Sequence, residues 1–559
     1  MLALVIVPGA GAALAFDGGR HSWPIAEGVV GDLARRIEAE LRPRWIVWDR
    51  ATSTQLLHDG VRVSKCWDIA AVQRLLVGGW RTDPARVWAE LHGLPAELPV
   101  VAEVDLFTVA VDDPDPDEPV RADGYLKPEW LERDFAWTSA RLVRWAELAA
   151  QTAALQIDAL ARVVDRPKAP SIARSESAAE LLCAELSNDG LPMDRQTAED
   201  IVSSFVGPRP RTEAEAAEMR RRRDTEVLRH ASMPNCDLRN PAQVKSLLRS
   251  IGVELPDTRA RSLESVRDSH PLVDALLEWR KAERIATTFG YAWLDEHLGG
   301  DGRLRGTWTA CDGAAGRMTA SAGLHNMPAQ LRPAVIAERD HVFVRADLGQ
   351  IEPRILASVS GDRALAAATQ RDDMYAPVAE QLGVDRATAK VAVLGAMYGQ
   401  TTGHGAAALR GLEKAYPVAM RYLDEADRSG QVGRDVRTDG GRLVRMAFTG
   451  RGEPGDRESR SRAAAQGRYG RNAMVQGAAA EFFKVWAVTV RSRAGAFDAR
   501  IVLCLHDELL VHVPSRHGQQ VADLLEQCLA EAARHWARDE SVRFVADVSV
   551  IERWSDSKS

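Results

Sequence analysis

The sequence has little of what marks several protein classes. Its six cysteines (Cys66, Cys183, Cys236, Cys311, Cys504 and Cys528) are scattered with no CxxC pair, which argues against a zinc site or a disulfide framework and fits a reducing cytoplasm. No apolar run approaches the roughly 18 residues of a membrane span. The opening run from Leu2 to Val7 is short and has no basic segment before it, so it is expected to be a buried strand rather than a signal peptide. Lysine is scarce, at nine of 72 basic residues with arginine making up the rest, the usage of a GC-rich genome. Positive charge is not in excess either. The formal net charge is −7, so any surface for nucleic acid must be a local patch. No internal repeat is evident.

The 559 residues, 45% hydrophobic and 27% charged, suffice for roughly three or four globular domains. Residues 1 to about 165 alternate short apolar strands (LALVIV, RWIVW) with helical stretches (VGDLARRIEAEL, DIAAVQRLL), an α/β pattern. Nine of fifteen tryptophans lie there, implying a folded core. The acidic stretch VDDPDPDEP from Val111 to Pro119 reads as an exposed loop. Residues 170–300 read as a helical arm. After Gly300, strand candidates (GRLRGTWTA, HVFVRADL, IVLCLHDELLVHV, RFVADVSVI) enclose helices from about 352 to 430, a discontinuous α+β domain. Two basic stretches stand out: ten arginines against five acids between Arg434 and Arg471, and the run Arg220 to Arg223. Either is a phosphate track or a solvated face.

Three segments carry candidate chemistry. HVFVRADLGQIEPRIL reads as a strand ending at Asp347, then a turn into a helix with Glu352 and Arg354; Asp347 either projects into a cleft or caps the helix. Asp507 and Glu508 sit in a tight turn between two apolar strands, where polar residues need no catalytic explanation. Positions 386, 390, 394 and 398 are four apart and form a slowly drifting stripe on one helix face. Its two cations, Arg386 and Lys390, suit a triphosphate as well as the solvated end of an amphipathic helix.

In order and combination these segments resemble motifs A, B and C of the family A DNA polymerases. Motif A is matched by Asp347-Leu-Gly-Gln350-Ile-Glu352-Pro-Arg354, motif B by Arg386, Lys390 and Tyr398, and motif C by His506-Asp507-Glu508. Gly316-Arg317-Met-Thr-Ala-Ser321 and Leu324-His-Asn326-Met-Pro328 resemble the family's primer-template elements, and Arg468, Asn472 and Gln476 fall on its template-contacting helix. The resemblance spans roughly Glu180 to Trp554, more faintly the N-terminal region.

The resemblance implies a multidomain α/β and α+β chain. An RNase H-like exonuclease-type domain (1–165) would precede a right-hand polymerase with thumb (170–300), palm (301–365 and 491–559) and fingers with an adjoining palm helix (366–490). It implies two Mg²⁺ ions, Mn²⁺ substituting, on Asp347, Asp507 and the carbonyl of Leu348, with Glu508 supporting and Lys390 protonating the leaving pyrophosphate. The incoming deoxynucleoside triphosphate would meet Arg332, Gln350, Glu352, Tyr375, Arg386, Lys390, Leu394 and Tyr398, Glu352 excluding the ribose 2′ hydroxyl. Primer-template DNA would meet Arg317, Asn326, Arg468, Asn472, Gln476 and His506. A monomer in the bacterial cytoplasm, on the nucleoid, is expected, without a membrane.

The departures are specific. Leu394 replaces an aromatic residue and Tyr375 a histidine, and the connections from Gly399 to Tyr416 and before Arg332 are short, predicting compact fingers and altered nucleotide selectivity. In the N-terminal region Asp49 matches one exonuclease metal ligand. The opening strand, however, has no Asp-x-Glu, and Phe135-Ala-Trp-Thr-Ser139 stands where Tyr-x-x-x-Asp is expected, predicting no proofreading. The length leaves no room for a 5′ nuclease domain. Two alternatives stay open: a bifunctional enzyme whose exonuclease uses Asp68 or Asp134, and a non-catalytic DNA-binding protein on a polymerase scaffold.

Overall fold

The computed structural model describes residues 1–95, 115–132, 134–231, 235–399, 406–446, 457–538 and 540–557. Part of the VDDPDPDEP loop (111–114), part of the Gly399–Tyr416 connection (400–405) and the middle of the arginine-rich segment (447–456) lie outside these residues.

The chain forms two compact units. The first comprises Met1–Asp189, Thr307–Thr319 and Asp340–Val550. Its N-terminal sheet has strands Leu2–Val7, Gly11–Phe16, His21–Ile25, Arg44–Val47 and Lys65–Asp68. The first three are antiparallel neighbours, and Arg44–Val47 and Lys65–Asp68 extend the sheet in parallel from Leu2–Val7. Parallel neighbours need a crossover; the amphipathic helix Val30–Leu41 and then Arg50–His58 occupy the two connecting segments. Helix Ser139–Ala161 buries Leu142, Trp145, Ala149 and Ala153.

Further along the same unit a four-stranded sheet is built from Arg500–Leu505, Glu508–Pro514, His341–Leu348 and Ala546–Ile551, in that spatial order. The strand of motif A thus lies inside the sheet although it comes first in sequence. A helical cluster packs separately around Met374, Tyr375, Val378, Ala392, Val393, Met397, Tyr416 and Leu423. Arg457–Ala494 is one helix of 38 residues.

The second unit comprises Gly190–Gly306, Ala320–Arg339 and Ile551–Ser559. Helices Arg195–Val206, Glu213–Leu228, Pro241–Ser250 and Pro271–Thr288 dominate it, and Leu247, Leu263, Leu272, Val273 and Leu276 form a core. This division differs from the expected domain bounds. The segment 170–189 belongs to the first unit, because Ala169–Asp189 buries Ile172, Leu181, Leu182 and Leu186 there. The expected palm segments 301–365 and 491–559 are each divided. The C-terminus joins the second unit through backbone bonds, Ala337 N to Glu552 O at 2.9 Å and Trp554 N to Val335 O at 3.0 Å. No described helix is long and apolar enough to cross a membrane.

Candidate active site

Strand His341–Leu348 pairs antiparallel with Glu508–Pro514, placing Asp347 opposite Glu508. The latter strand pairs in turn with Arg500–Leu505, Leu505 opposite Glu508, so His506 and Asp507 form a two-residue turn with His506 at φ +24°. Leu348 N donates to Asp507 O at 2.8 Å, which fixes the two acidic segments side by side. The motif A strand runs one residue past Asp347, to Leu348. Asp347 is therefore a strand residue and not the helix cap; the N-cap of Ile351–Ser360 is Gln350, in the left-handed region at φ +52°. For a residue other than glycine that conformation costs about 1 kcal/mol. It persists where surrounding bonds fix it: Gln350 Oε1 accepts from Met374 N at 3.0 Å and its amide donates to Asp373 at 3.1 Å.

Helix Arg386–Tyr398 begins where Asp385 accepts from Thr388 N at 2.9 Å and ends at Gly399, φ +67°. Its buried face, Ala389, Ala392, Val393, Ala396 and Met397, belongs to the helical core. That leaves the opposite stripe at a cavity of ≈ 450 Å³. Lys390, Leu394 and Tyr398 line it together with Asp347, Leu348 and Asp507. Gln350, Glu352, Tyr375, Arg317, Gln476 and His506 complete the lining among the predicted residues. Tyr398 Oη donates to Glu352 Oε2 at 2.5 Å, and an Arg317 guanidinium nitrogen lies 3.6 Å from Glu352 Oε1. Burial, with the bond to Glu352, pushes the Tyr398 hydroxyl up to about 12.

Other predicted residues stand elsewhere. Arg386 is at the exposed start of its helix, its Nε 2.5 Å from Asp373 and its guanidinium 5.8 Å from the Tyr375 ring. Glu508 is buried and paired with Arg345 rather than lining the cavity. On the long helix Arg468, Asn472 and Gln476 fall four apart. A Cβ on Gly399 would lie 2.7 Å from Arg468 Cγ, so close approach as well as φ requires glycine there. The Asn472 amide oxygen is buried with no hydrogen-bond partner among the described residues. Arg332 and Asn326 belong to the second unit, the guanidinium of Arg332 stacked 4.2 Å from the Trp554 ring and the Asn326 carbonyl accepting from Arg284 at 2.5 Å.

Sequence reasoning missed three arginine roles. Arg345 reaches Asp347 Oδ2 at 2.6 Å, Glu508 Oε1 at 2.8 Å and Asp547 Oδ2 at 3.5 Å. Burial pushes its guanidinium down, but Glu508, Asp347 and Asp547 outweigh that and leave it raised. Arg354, fully buried, donates to the carbonyls of Gly349, Thr369, Arg371 and Asp372 at 2.6–2.9 Å and so shapes the turn after motif A. Burial lowers its guanidinium to about 10. Arg442 is buried against Glu176 at 2.6 Å, while Arg437 and Arg445 donate to the carbonyls of Leu76 and Val77. These three members of the arginine-rich segment are structural.

The two acids differ in electrostatics. Burial raises the Asp347 carboxyl, partly offset by Arg345. Burial and the charges of Asp347 and Glu508 push Asp507 up to about 7. Crowded carboxylates of this kind are relieved by a cation. Two carboxylates with a backbone carbonyl are hard oxygen donors, the set Mg²⁺ and Mn²⁺ take, so the residues fit such ions.

In the N-terminal sheet Asp49 caps Arg50–His58, accepting from Ala51 N, and Asp68 caps Ile69–Val77, accepting from Ala71 N, each at 2.8 Å. Burial and Glu180 raise Asp68 well above the carboxylate range. Asp134 is exposed. Phe135 and Trp137 pack with Trp130 and Trp145 at ring separations of 5.0–6.0 Å, and Thr138 caps the next helix.

A family model described as DNA polymerase family A matches residues 211–556. DNA polymerase I of Chloroflexus aurantiacus is 30% identical over 306 residues, 49% of this chain and 32% of that protein. DNA polymerase I of Deinococcus radiodurans is 28% identical over 331 residues, 54% of this chain and 33% of that protein. DNA polymerase theta of Caenorhabditis elegans is 26% identical over 319 residues, 53% and 19%. The chain thus spans about a third, or less, of the length of these relatives. A solved structure, the POL domain of Pol1 from M. smegmatis in complex with DNA primer-template and dNTP, superposes with a TM-score of 0.70 at 20% identity, covering 100% of this chain and 96% of that one. At that identity the likeness establishes the fold.

Proposed function

The chain belongs to DNA polymerase family A, and from that premise we propose that it is a DNA-directed DNA polymerase, adding deoxynucleotides to a primer 3′ end on a template strand. The observation that carries the proposal is one cavity lined by Asp347, Asp507, Lys390, Tyr398 and Glu352 from three distant segments. A protein that only bound DNA would gain nothing from half-buried acids gathered in one cavity.

Asp347, Asp507 and the Leu348 carbonyl would hold two divalent ions, which when bound lower the pKa of the primer hydroxyl and neutralise charge on the transferred phosphoryl group. The chain's own residues supply the positioning. Lys390, lining the same cavity as the acids, is a point charge for the triphosphate and a proton donor for the departing pyrophosphate. Arg386 offers a planar fork once it exchanges Asp373 for a phosphate. Glu352, held by Tyr398, occupies the place from which a ribose 2′ hydroxyl is excluded, and Leu394 forms the wall beside it. Arg317, Asn472 and Gln476 suit minor-groove acceptors, whose pattern is largely degenerate between base pairs. Arg468 and His506 are assigned to the DNA strands.

On this reading the four-stranded sheet is the palm, the helical cluster of Arg386–Tyr398 the fingers, and the helices of the second unit the thumb. The N-terminal five-stranded sheet is of RNase H-like type, and we assign it no proofreading activity. Asp49 and Asp68 serve as helix caps, and the half-buried rings of Phe135 and Trp137 pack on neighbouring tryptophans. The enzyme would act as a monomer in the cytoplasm.

Primer extension tests the proposal. With each template base in turn, the chain is expected to add the complementary deoxynucleotide in Mg²⁺ or Mn²⁺. Addition without a template preference, or none at all, refutes it.

A further inference from the structure

Side chains two apart on a strand share a face, so Arg345 and Asp347 project together from His341–Leu348. Arg345 stands opposite Leu510 and Asp347 opposite Glu508. Arg345 and Glu508 are therefore diagonal cross-strand neighbours, a separation that a long side chain spans. On the other flank runs Ala546–Ile551, carrying Asp547. The guanidinium thus sits between acids from three adjacent strands. Only 7% of the Arg345 side chain, and 7% of that of Glu508, is exposed. A buried guanidinium is tolerated only with good partners; of the three here, Asp347 lines the cavity and Glu508 and Asp547 do not.

We propose that Arg345 is a positioning residue that serves as a built-in counter-ion of the metal site, pinning Glu508 and one oxygen of Asp347 and holding down the affinity for free divalent ions until a nucleoside triphosphate brings its own negative charge. The inference rests on the reading of Asp347 and Asp507 as the metal-binding carboxylates. Cation affinity at oxygen sites follows the ligand charge count, and Arg345, bonded to the ligand Asp347, subtracts one negative charge from it. An arginine keeps its charge at every working pH, so the subtraction is permanent. Asp347 Oδ2, committed to the guanidinium, reaches an ion only by sharing or losing that bond. Adding triphosphate phosphates restores the missing negative charge, which couples ion binding to nucleotide binding.

Mn²⁺ titration of the full chain, followed by the electron paramagnetic resonance of the free ion, tests this with and without a deoxynucleoside triphosphate and with no primer present. Without nucleotide, Arg345→Gln is expected to bind Mn²⁺ about tenfold more tightly than the unsubstituted chain, and Arg345→Lys, which keeps the charge, to stay within about twofold. Added triphosphate is expected to tighten Mn²⁺ binding less in Arg345→Gln. Unchanged or weaker binding by folded Arg345→Gln overturns the inference. If Arg345→Gln fails to fold, a tenfold tightening in Arg345→Lys overturns it equally, since the charge is retained. Asp507→Ala separates the two levels of the argument: it is expected to lose Mn²⁺ binding, and binding equal to the unsubstituted chain overturns the metal reading and the counter-ion with it.

Discussion

Tyr398, Glu352 and Leu394 set the shape of the cavity where the sugar of a nucleotide would lie. The Tyr398–Glu352 bond at 2.5 Å holds the carboxylate in place, so Glu352→Ala is expected to raise ribonucleotide incorporation relative to deoxynucleotides. An unchanged ratio in steady-state competition contradicts that role. Leu394 leaves more room than a ring would. Leu394→Phe is expected to shift the deoxy-to-dideoxy ratio, and an unchanged ratio speaks against Leu394 as a determinant. At this scale the sequence was readable where spacing alone encodes proximity. The stripe 386, 390, 394 and 398 is a helix face, and three of its four members reached the cavity. The same rule on a strand puts Arg345 beside Asp347, a signal present in VFVRAD but passed over. Asp373 and Asp547 had no such signal, since their contacts with Arg386 and Arg345 depend on a loop path and a strand order that no local pattern encodes.

Two elements distant in sequence, Ala169–Asp189 and Arg457–Ala494, are joined through a buried cluster. Glu176 lies 2.6 Å from both Arg442 and Lys484, with only 2% of its side chain exposed, and Lys484 also donates to the Gly316 carbonyl at 2.8 Å. Removing one partner of a buried pair costs about 3–5 kcal/mol. Glu176→Leu is expected to destabilise by that order in denaturant unfolding, and a loss below about 1 kcal/mol contradicts the brace. Glu481, in the same cluster, accepts from Gly440 N at 3.1 Å. Burial pushes it up to about 7 from 4.5, against the pull of Thr438 and Arg442. The folded state therefore binds the extra proton between these values. Stability from this group is full below 4.5 and is lost as pH rises through about 7. Glu481→Gln, fixed in the neutral form, is expected to gain in Tm over the parent as pH rises from about 5 to about 8. A gap that stays constant or narrows contradicts the assignment. Strand, turn and strand around Asp507 was legible from two apolar runs flanking a polar pair. The cluster was not, because its charged members look like the solvated face of a helix until burial is known.

For the whole molecule, the comparison of the two sheets matters most. In one, acids from two segments converge on a cavity; in the other, Asp49 and Asp68 are spent on helix N-termini. A labelled primer-template incubated with Mg²⁺ or Mn²⁺ and no nucleotides is expected to keep its full length, and shortening from the 3′ end contradicts the absence of proofreading. The order of α/β, helical and α+β regions was legible from periodicity. The excursions of 320–339 and 551–559 into the second unit were not, being set by long-range backbone bonds between Val335–Ala337 and Glu552–Trp554. The central claim is that Asp347 and Asp507 are the catalytic carboxylates of a polymerase, and single-nucleotide incorporation measured by rapid quench on a bound primer-template tests it most directly. Loss of several kcal/mol of transition-state stabilisation corresponds to about a thousandfold or more in rate. Asp347→Ala and Asp507→Ala are expected to fall by that factor while still binding the DNA, and incorporation by either at the rate of the unsubstituted chain contradicts the account.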